Sequence, residues 1–108
     1  MHAANRSKLD RETIERELGS LPGWAMGEGK LQREYTFRSF VEAFGFMSSA
    51  ALVAEAMNHH PDWSNVYRTV RVDLSTHDAG GVTELDLALA RRMEELAAGH
   101  GAGKGKRA

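Results

Sequence analysis

The sequence contains no cysteine among its 108 residues. This absence excludes disulfide bonds, thiolate nucleophiles and zinc sites that use cysteine ligands. It leaves the redox compartment open, because cysteine usage is the feature that would have indicated it. Any chemistry in this chain must therefore come from other side chains, and its five histidines become the first candidates.

The chain also lacks a strong net charge. Its 14 lysines and arginines and its 15 acidic residues give a formal net charge of −1, so there is no electrostatic reason to expect nucleic acid or an anionic membrane as a partner. We find no apolar run long enough to cross a bilayer, and the N-terminal stretch MHAANRSKLD lacks the apolar core of a signal peptide. We therefore expect a cytoplasmic protein.

Length and composition indicate a single domain. A chain of 108 residues with 42% hydrophobic and 27% charged residues is typical of a soluble globular protein with one core. We expect residues 1–8 to be a flexible N-terminus and residues 9–98 to form the domain. Residues 99–108, with the sequence GHGAGKGKRA, are rich in glycine and basic residues and are predicted to be a disordered tail.

The first and last predicted helices begin with capping signals. Asp10 suits the N-cap position, and apolar residues at helical spacing follow it until Gly19. Thr83 and Asp86 match a capping box, and the apolar face of the helix that they begin continues to about Ala98.

The long helix is predicted to run from Ser39 to about Asn58. Ser39 and Glu42 match a capping box, and proline at position 61 forces its preceding residue out of the helical region. At ~100° per residue the apolar arc spans roughly 240°, and its centre is formed by Phe40, Phe44, Met47, Ala51 and Ala54. A single core needs a stripe only a little over ~100° wide. The arc is either a generous core stripe or includes a face buried by another subunit, and we favour the second explanation.

Two stretches have the alternation of β structure. Residues 24–28 read as a short strand, which a type II′ turn at Gly29–Lys30 joins to the alternating strand of residues 31–37. In residues 63–75 the alternation does not distinguish one long strand from a hairpin that turns near Arg68–Thr69. The order of these elements predicts an α+β fold with helices on one face of an antiparallel sheet.

Candidate functional residues concentrate between the long helix and the last one. Glu55 and His59 are one helical turn apart, so we expect the carboxylate to orient the imidazole. His60 follows directly, and His77 lies in a predicted loop, residues 77–81, beyond the β segment. Three imidazoles suit general acid–base chemistry near neutral pH, and Trp63 offers an aromatic surface for a flat ligand.

Other interpretations of these residues stay open. The three histidines at positions 59, 60 and 77 could instead be ligands of an open zinc site, although adjacent histidines rarely converge on one ion. Asp86 is explained by helix capping alone, and Trp63 could simply belong to the core. Glu55 could be part of a solvated helix face.

The spacing of these residues resembles the signature of the pterin-4a-carbinolamine dehydratase family. That signature places an acidic or polar residue before His-His-Pro, followed at set intervals by an aromatic residue, a histidine and an aspartate. The matching residues here are Glu55, His59-His60-Pro61, Tyr67, His77 and Asp86. The segments LPGW at 21–24 and LQREYTF at 31–37 also agree with the family, so the resemblance covers roughly residues 9–97.

This resemblance implies a particular fold and assembly. The fold is a four-stranded antiparallel sheet, made of two hairpins, with three helices on one face, which favours the hairpin interpretation of residues 63–75. The implied assembly is a homodimer through edge strands or a homotetramer through the long helices. Some members of the family also stabilise dimers of a transcription factor, so the alternative function is a non-catalytic dimerisation or binding module.

The resemblance also implies a reaction. The substrate is 4a-hydroxytetrahydrobiopterin, the pterin-4a-carbinolamine that an aromatic amino acid hydroxylase leaves, and loss of water gives quinonoid dihydropterin for tetrahydrobiopterin recycling. The implied catalytic residues are His59, His60 and His77, of which we expect the last two to be the main proton-transfer pair. The implied substrate-binding residues are Glu55, Trp63 and Asp86. No metal or redox cofactor is required.

Overall fold

The structure, a computed structural model, describes residues 7–102 of the chain. In chain order the elements are α1 (Arg11–Leu18), β1 (Ala25–Gly27), β2 (Lys30–Thr36), α2 (Phe40–Met57), β3 (Asp62–Val66), β4 (Thr69–Leu74) and α3 (Glu84–Gly99). The strands form one antiparallel sheet in the order β1-β2-β4-β3. The predicted α+β fold, with two hairpins and three helices, is confirmed.

The first hairpin turns one residue earlier than predicted. Gly27 pairs with Lys30, so the two loop residues are Glu28 and Gly29. Both have positive φ, 55° and 78° respectively, as a type I′ turn requires at its two central positions. The prediction of a type II′ turn at Gly29–Lys30 is therefore wrong, because Glu28 itself takes the left-handed conformation.

The second β stretch is a hairpin rather than one long strand. Val66 pairs with Thr69 across a two-residue loop at Tyr67–Arg68. The loop moves Val66 to the outer face of the sheet, where it is 75% exposed, while the alternating apolar residues of β4 are buried: Val70, Val72 and Leu74. The alternation of the sequence therefore does not continue unchanged through the turn.

The buried face of α2 differs from the predicted one. Its buried residues are Ala43, Phe46, Ala50 and Ala54. Phe46 packs on Tyr35 and Phe37, with ring centroids 5.0 and 5.2 Å apart, at the centre of the core. Phe40 and Phe44, which were predicted to mark the centre of the apolar arc, are 48% and 55% exposed. The helix packs on the core through its side of small residues, because alanines there allow its backbone to lie close to the sheet.

The other apolar side of α2 is open. Phe40, Val41 and Phe44 line a shallow cleft of about 460 Å³, and Leu52 further along the helix is 75% exposed. Within residues 7–102, one helix, α2, is long and apolar enough to cross a membrane by length and composition alone, whereas we expected no such run. Length and composition are weak evidence for a span, because the core helix of a soluble protein meets the same test.

A polar cluster joins α3 to the first hairpin. The Oε2 atom of Glu94 accepts hydrogen bonds from Trp24 Nε1 at 2.7 Å, Arg33 Nε at 2.8 Å and Tyr35 Oη at 2.5 Å. Burial alone would raise the pKa of Glu94, but its hydrogen bonds, with Arg33 first, outweigh burial and lower it. Burial and the nearby Glu94 carboxylate raise the pKa of Tyr35. This carboxylate explains how the charge of Arg33 is accommodated on the inner face of β2.

The end of the chain packs further than predicted. α3 ends at Gly99, and His100 lies 3.4 Å from Glu42 Oε1 through Nδ1 and 3.3 Å from Ser49 Oγ through Nε2. Gly101 is buried, and Ala102 packs against the core. The prediction of disorder is therefore wrong for residues 99–102, because His100 finds polar partners on α2. Residues 103–108 and 1–6 lie outside the described part of the chain.

Replacing Glu94 with glutamine should destabilise the fold. The neutral amide weakens three hydrogen bonds to one oxygen, so we expect a loss of about 1–3 kcal/mol in the free energy of unfolding at pH 7. The folded-state pKa of Glu94 is below its ordinary value of 4.5, so its stabilising effect is complete above that pH and is lost as the pH falls through the lowered value.

Urea unfolding of both proteins at pH 7 and pH 3 measures this difference. The matched control is Glu95→Gln, which changes an exposed carboxylate that lies 3.4 Å from Arg92 and should have little effect. Equal stability of the wild type and Glu94→Gln at pH 7 would contradict the role assigned to the cluster.

Two truncations test where the tail begins. A chain that ends at Ala102 should melt at the wild-type temperature, because it keeps every contact described above. A chain that ends at Ala98 loses the contacts of His100 and Ala102, and we expect it to lose about 1–2 kcal/mol, or roughly 5–10 °C in melting temperature. Thermal unfolding followed by circular dichroism measures both, and equal melting of the two truncated chains would show that residues 99–102 contribute nothing.

Candidate functional site

His59 reaches the protein interior because α2 ends in a left-handed turn. Asn58 has φ 54° and ψ 43°, a conformation that asparagine tolerates better than most residues. Its N–H donates to Glu55 O and the N–H of His59 donates to Ala54 O, both at 3.0 Å, which is the Schellman arrangement of helix ends. Pro61 then prevents the helix from resuming. The imidazole of His59 is turned inward and is 7% exposed.

Asp86 is the buried partner of His59. Its Oδ1 atom lies 2.6 Å from His59 Nε2, and the side chain has no exposed surface. Its Oδ2 atom accepts hydrogen bonds from the Thr76 hydroxyl and from the Thr83 N–H, both at 2.9 Å. The second of these bonds completes the predicted capping box of α3. Asp86 therefore caps a helix and holds an imidazole at the same time, which accounts for a carboxylate in the core.

Glu55 has a different partner from the predicted one. Its Oε1 atom lies 2.9 Å from Nε2 of His60, and the two side chains are 81% and 58% exposed. The prediction that Glu55 orients His59 assumed that both residues lie on one helical face. The left-handed turn at Asn58 breaks that spacing and directs His59 away from the helix surface.

His77 lies at the same end of the sheet as His60. Asp62 at the start of β3 pairs with Asp73 near the end of β4, so the residues before β3 and after β4 leave the sheet together. His77 begins a short 3₁₀ helix, His77–Ala79, where a loop was predicted. It lines a cleft of about 190 Å³ together with Glu28, Gly29, Lys30, Ser75, Thr76, Gly80 and Gly81.

The two aromatic candidates, Trp63 and Tyr67, lie at different distances from the histidines. Trp63 pairs with Val72, packs partly against the core and borders a cleft of about 180 Å³ that also contacts Arg71. Tyr67 lies at the hairpin tip, at the opposite end of β3 from His60, and is 66% exposed. At ~3.3 Å per residue the strand places it roughly 16 Å from Asp62, which follows His60 by two residues. Tyr67 is therefore not part of this site in the described chain.

Sequence reasoning missed Thr76 as a member of the site. The hydroxyls of Thr76 and Thr83 are 2.7 Å apart, and both side chains are buried. Thr83 was assigned only a capping role, and Thr76 had none. Its position, between a buried strand and His77, is the signal that could have indicated a polar residue directed into the core.

The geometry separates the two adjacent histidines. Nε2 of His59 is directed to Asp86 and Nε2 of His60 to Glu55. In residues 7–102, no group of three or more histidine, aspartate or glutamate side chains is placed to hold a metal ion. What the arrangement offers chemically is a buried imidazole–carboxylate pair, together with two exposed imidazoles at the same end of the sheet.

Fold and site together define a class: a small α+β protein with three histidines at one end of an antiparallel sheet. Comparison with known proteins identifies the family. The model of the pterin 4 alpha carbinolamine dehydratase family matches residues 7–96. The chain belongs to this family, as the resemblance of the sequence predicted.

Named relatives agree with this assignment. A protein of Afipia carboxidovorans, provisionally named a pterin-4-alpha-carbinolamine dehydratase, is 57% identical over 95 residues, which are 86% of this chain and 95% of that protein. A protein of Rhizobium leguminosarum with the same provisional name is 53% identical over 96 residues, 87% of this chain and 95% of its own length. A crystal structure of a transcriptional coactivator/pterin dehydratase from Brucella melitensis superimposes with a TM-score of 0.81 at 43% identity, over 84% of this chain and 99% of that one.

Proposed function

We propose that this protein is an enzyme that dehydrates 4a-hydroxytetrahydrobiopterin to quinonoid dihydropterin and water, by general acid–base catalysis in tetrahydrobiopterin recycling. The observation that carries this proposal is the buried His59–Asp86 pair, which lies at the same end of the sheet as His60 and His77. Membership of the dehydratase family supports the choice of substrate.

The reaction makes modest demands on the protein. The 4a-hydroxyl must receive a proton as the bond between carbon and oxygen breaks, and a ring nitrogen must lose its proton as the double bond from C4a to N5 forms. Groups that are positioned to give and take these protons typically accelerate such a step ~10²–10⁴-fold. The proton given to the hydroxyl leaves in the water, and the proton taken from the ring nitrogen replaces it on the protein, so the reaction consumes no other reagent.

The exposures of the histidines support a division of roles. His60 and His77 are exposed and can reach a bound ligand directly, which suits the main proton-transfer pair. His59 is held by Asp86 and suits a supporting acid–base group that also contacts the substrate. Glu55 then acts on His60 rather than on His59, and Trp63 stays our candidate for contact with the flat pterin ring.

A proposed biological setting follows from the substrate. The carbinolamine arises from an aromatic amino acid hydroxylase, so we propose that the protein works beside such an enzyme in the cytoplasm. The second candidate function is a non-catalytic binding module. It is supported by the open apolar side of α2 and by the similar Brucella melitensis protein, which is described as a transcriptional coactivator as well as a pterin dehydratase.

Purified protein added to a phenylalanine hydroxylase reaction tests the enzymatic proposal. The absorbance of the 4a-hydroxypterin intermediate should disappear faster than without it. His60→Ala and His77→Ala should each lower kcat by roughly 10- to 1,000-fold, and the double variant should cost much less than the product of the two effects, since groups that act as a unit are not additive.

The control for this test is His2→Ala, a change outside the described residues that should leave turnover unaltered. A folded double variant that clears the carbinolamine at the wild-type rate would defeat the assignment of the proton-transfer pair. No acceleration by the wild-type protein would favour the binding module.

We also propose that the protein is a homodimer or homotetramer. The open side of α2 and the edge of β3 are two surfaces of the described residues that a second copy could cover. Sedimentation equilibrium should give a mass above the 11.9 kDa of one chain. Phe44→Asp should lower that mass if the helices meet, and Val66→Asp should lower it if the β3 edges meet. A wild-type protein that sediments only as a monomer would overturn the proposal.

A further inference from the structure

The hydrogen bonds around Asp86 determine which nitrogen of His59 is free to act. We infer that His59 exchanges its proton with the substrate through Nδ1, and that Thr76 is the positioning residue that keeps it in this state. The inference deepens the proposed dehydratase function and depends on it for the identity of the substrate. The arrangement of protons itself follows from the described contacts alone.

The direction of each hydrogen bond in the cluster can be assigned. An ionised carboxylate only accepts, so the Thr76 hydroxyl donates its proton to Oδ2 of Asp86 over 2.9 Å. Its oxygen is then free to accept from the Thr83 hydroxyl, 2.7 Å away. The oxygen of Thr83 in turn accepts from the backbone N–H of Leu85 at 3.2 Å. Each donor in this series therefore points toward Asp86, from the Leu85 N–H through the hydroxyls of Thr83 and Thr76 to the carboxylate.

This order of donors makes His59 a hydrogen-bond donor to Asp86. Oδ2 of Asp86 already accepts two donors, so Oδ1 is the acceptor for the proton on Nε2 of His59, 2.6 Å away. Nε2 therefore carries a proton in both the neutral and the charged imidazole. The proton that is gained or lost in catalysis must then be the one on Nδ1.

Nδ1 is also the atom that a ligand can reach. None of the described contacts of His59 involves Nδ1. In residues 7–102, no buried side-chain nitrogen or oxygen lacks a hydrogen-bond partner. Nδ1 must therefore lie on the small exposed fraction of His59, 7% of the residue, and it presents a lone pair outward when the imidazole is neutral.

Thr76 connects this pair to His77. Its hydroxyl holds Asp86, while its backbone N–H donates to Gly81 O at 2.8 Å and its carbonyl accepts from Ala79 and Gly80 N–H at 3.0 and 3.1 Å. The next residue is His77. Removing the hydroxyl takes one of the two donors from Oδ2, so the carboxylate can rotate and its hold on the Nε2 proton of His59 weakens.

The tautomer of His59 can be measured directly. In ¹⁵N-labelled protein, long-range proton–nitrogen spectra distinguish a protonated ring nitrogen from one with a free lone pair. We expect neutral His59 to show a protonated Nε2 and a free Nδ1. A dominant Nδ1–H tautomer in the wild-type protein would overturn the inference, and this measurement needs neither substrate nor any variant.

Three variants test the role of Thr76. Thr76→Val removes the hydroxyl at nearly constant size, and we expect a mixture of His59 tautomers and a kcat about tenfold lower, with KM nearly unchanged. Thr76→Ser keeps the hydroxyl and should restore both the single tautomer and most of kcat. The matched control is Thr69→Val, the same change on the outer face of β4 at the end of the strand away from the histidines.

The outcomes separate this inference from the proposed function. Wild-type tautomer and kcat in Thr76→Val would show that Thr76 does not position Asp86. If Thr76→Val does not fold, the wild-type tautomer and the properties of Thr76→Ser decide the question instead. If the wild-type protein does not turn over carbinolamine but shows the Nε2–H tautomer, the proposed function fails while the assigned proton arrangement stands.

Discussion

The hydrogen bonding of the Asp86 carboxylate is the constraint on which the functional end of this protein depends. A carboxylate without exposed surface is tolerated only if its oxygens are satisfied, and its partners come from three different parts of the chain: the end of α2, the segment after β4 and the start of α3. Satisfying one buried charge therefore brings His59 and the segment that bears His77 together. The stability of the site and its geometry have the same origin.

Glu94 plays the corresponding structural role at another place on α3. One oxygen collects three donors from the first hairpin and so attaches the helix to β2, with the charge of Arg33 facing the core. The two acidic residues of α3 differ in what they leave free. Glu94 binds only groups of the framework, whereas Asp86 binds one nitrogen of an imidazole whose second nitrogen has no described contact.

Much of the framework could be read from local signals. The N-caps at Asp10, Ser39 and Thr83, and the end of α2 just before Pro61, depend on neighbouring residues and were predicted correctly. The register of the first hairpin and the inner face of α2 were not. Glu28 takes a left-handed conformation that its residue type does not indicate. On α2 the predicted apolar face was centred on large phenylalanines, whereas small alanines face the sheet.

By itself the sequence determined the fold class, the family and the identity of the candidate residues, because capping motifs, alternation and the spacing of the histidines are properties of the chain. Only the tertiary structure decided the pairings: His59 with Asp86, Glu55 with His60, and Thr76 with Asp86. The physical reason is the left-handed turn at Asn58, which ends the helical spacing on which the sequence argument relied. Contacts between residues 27 positions apart depend on how the elements pack, and no local pattern encodes them.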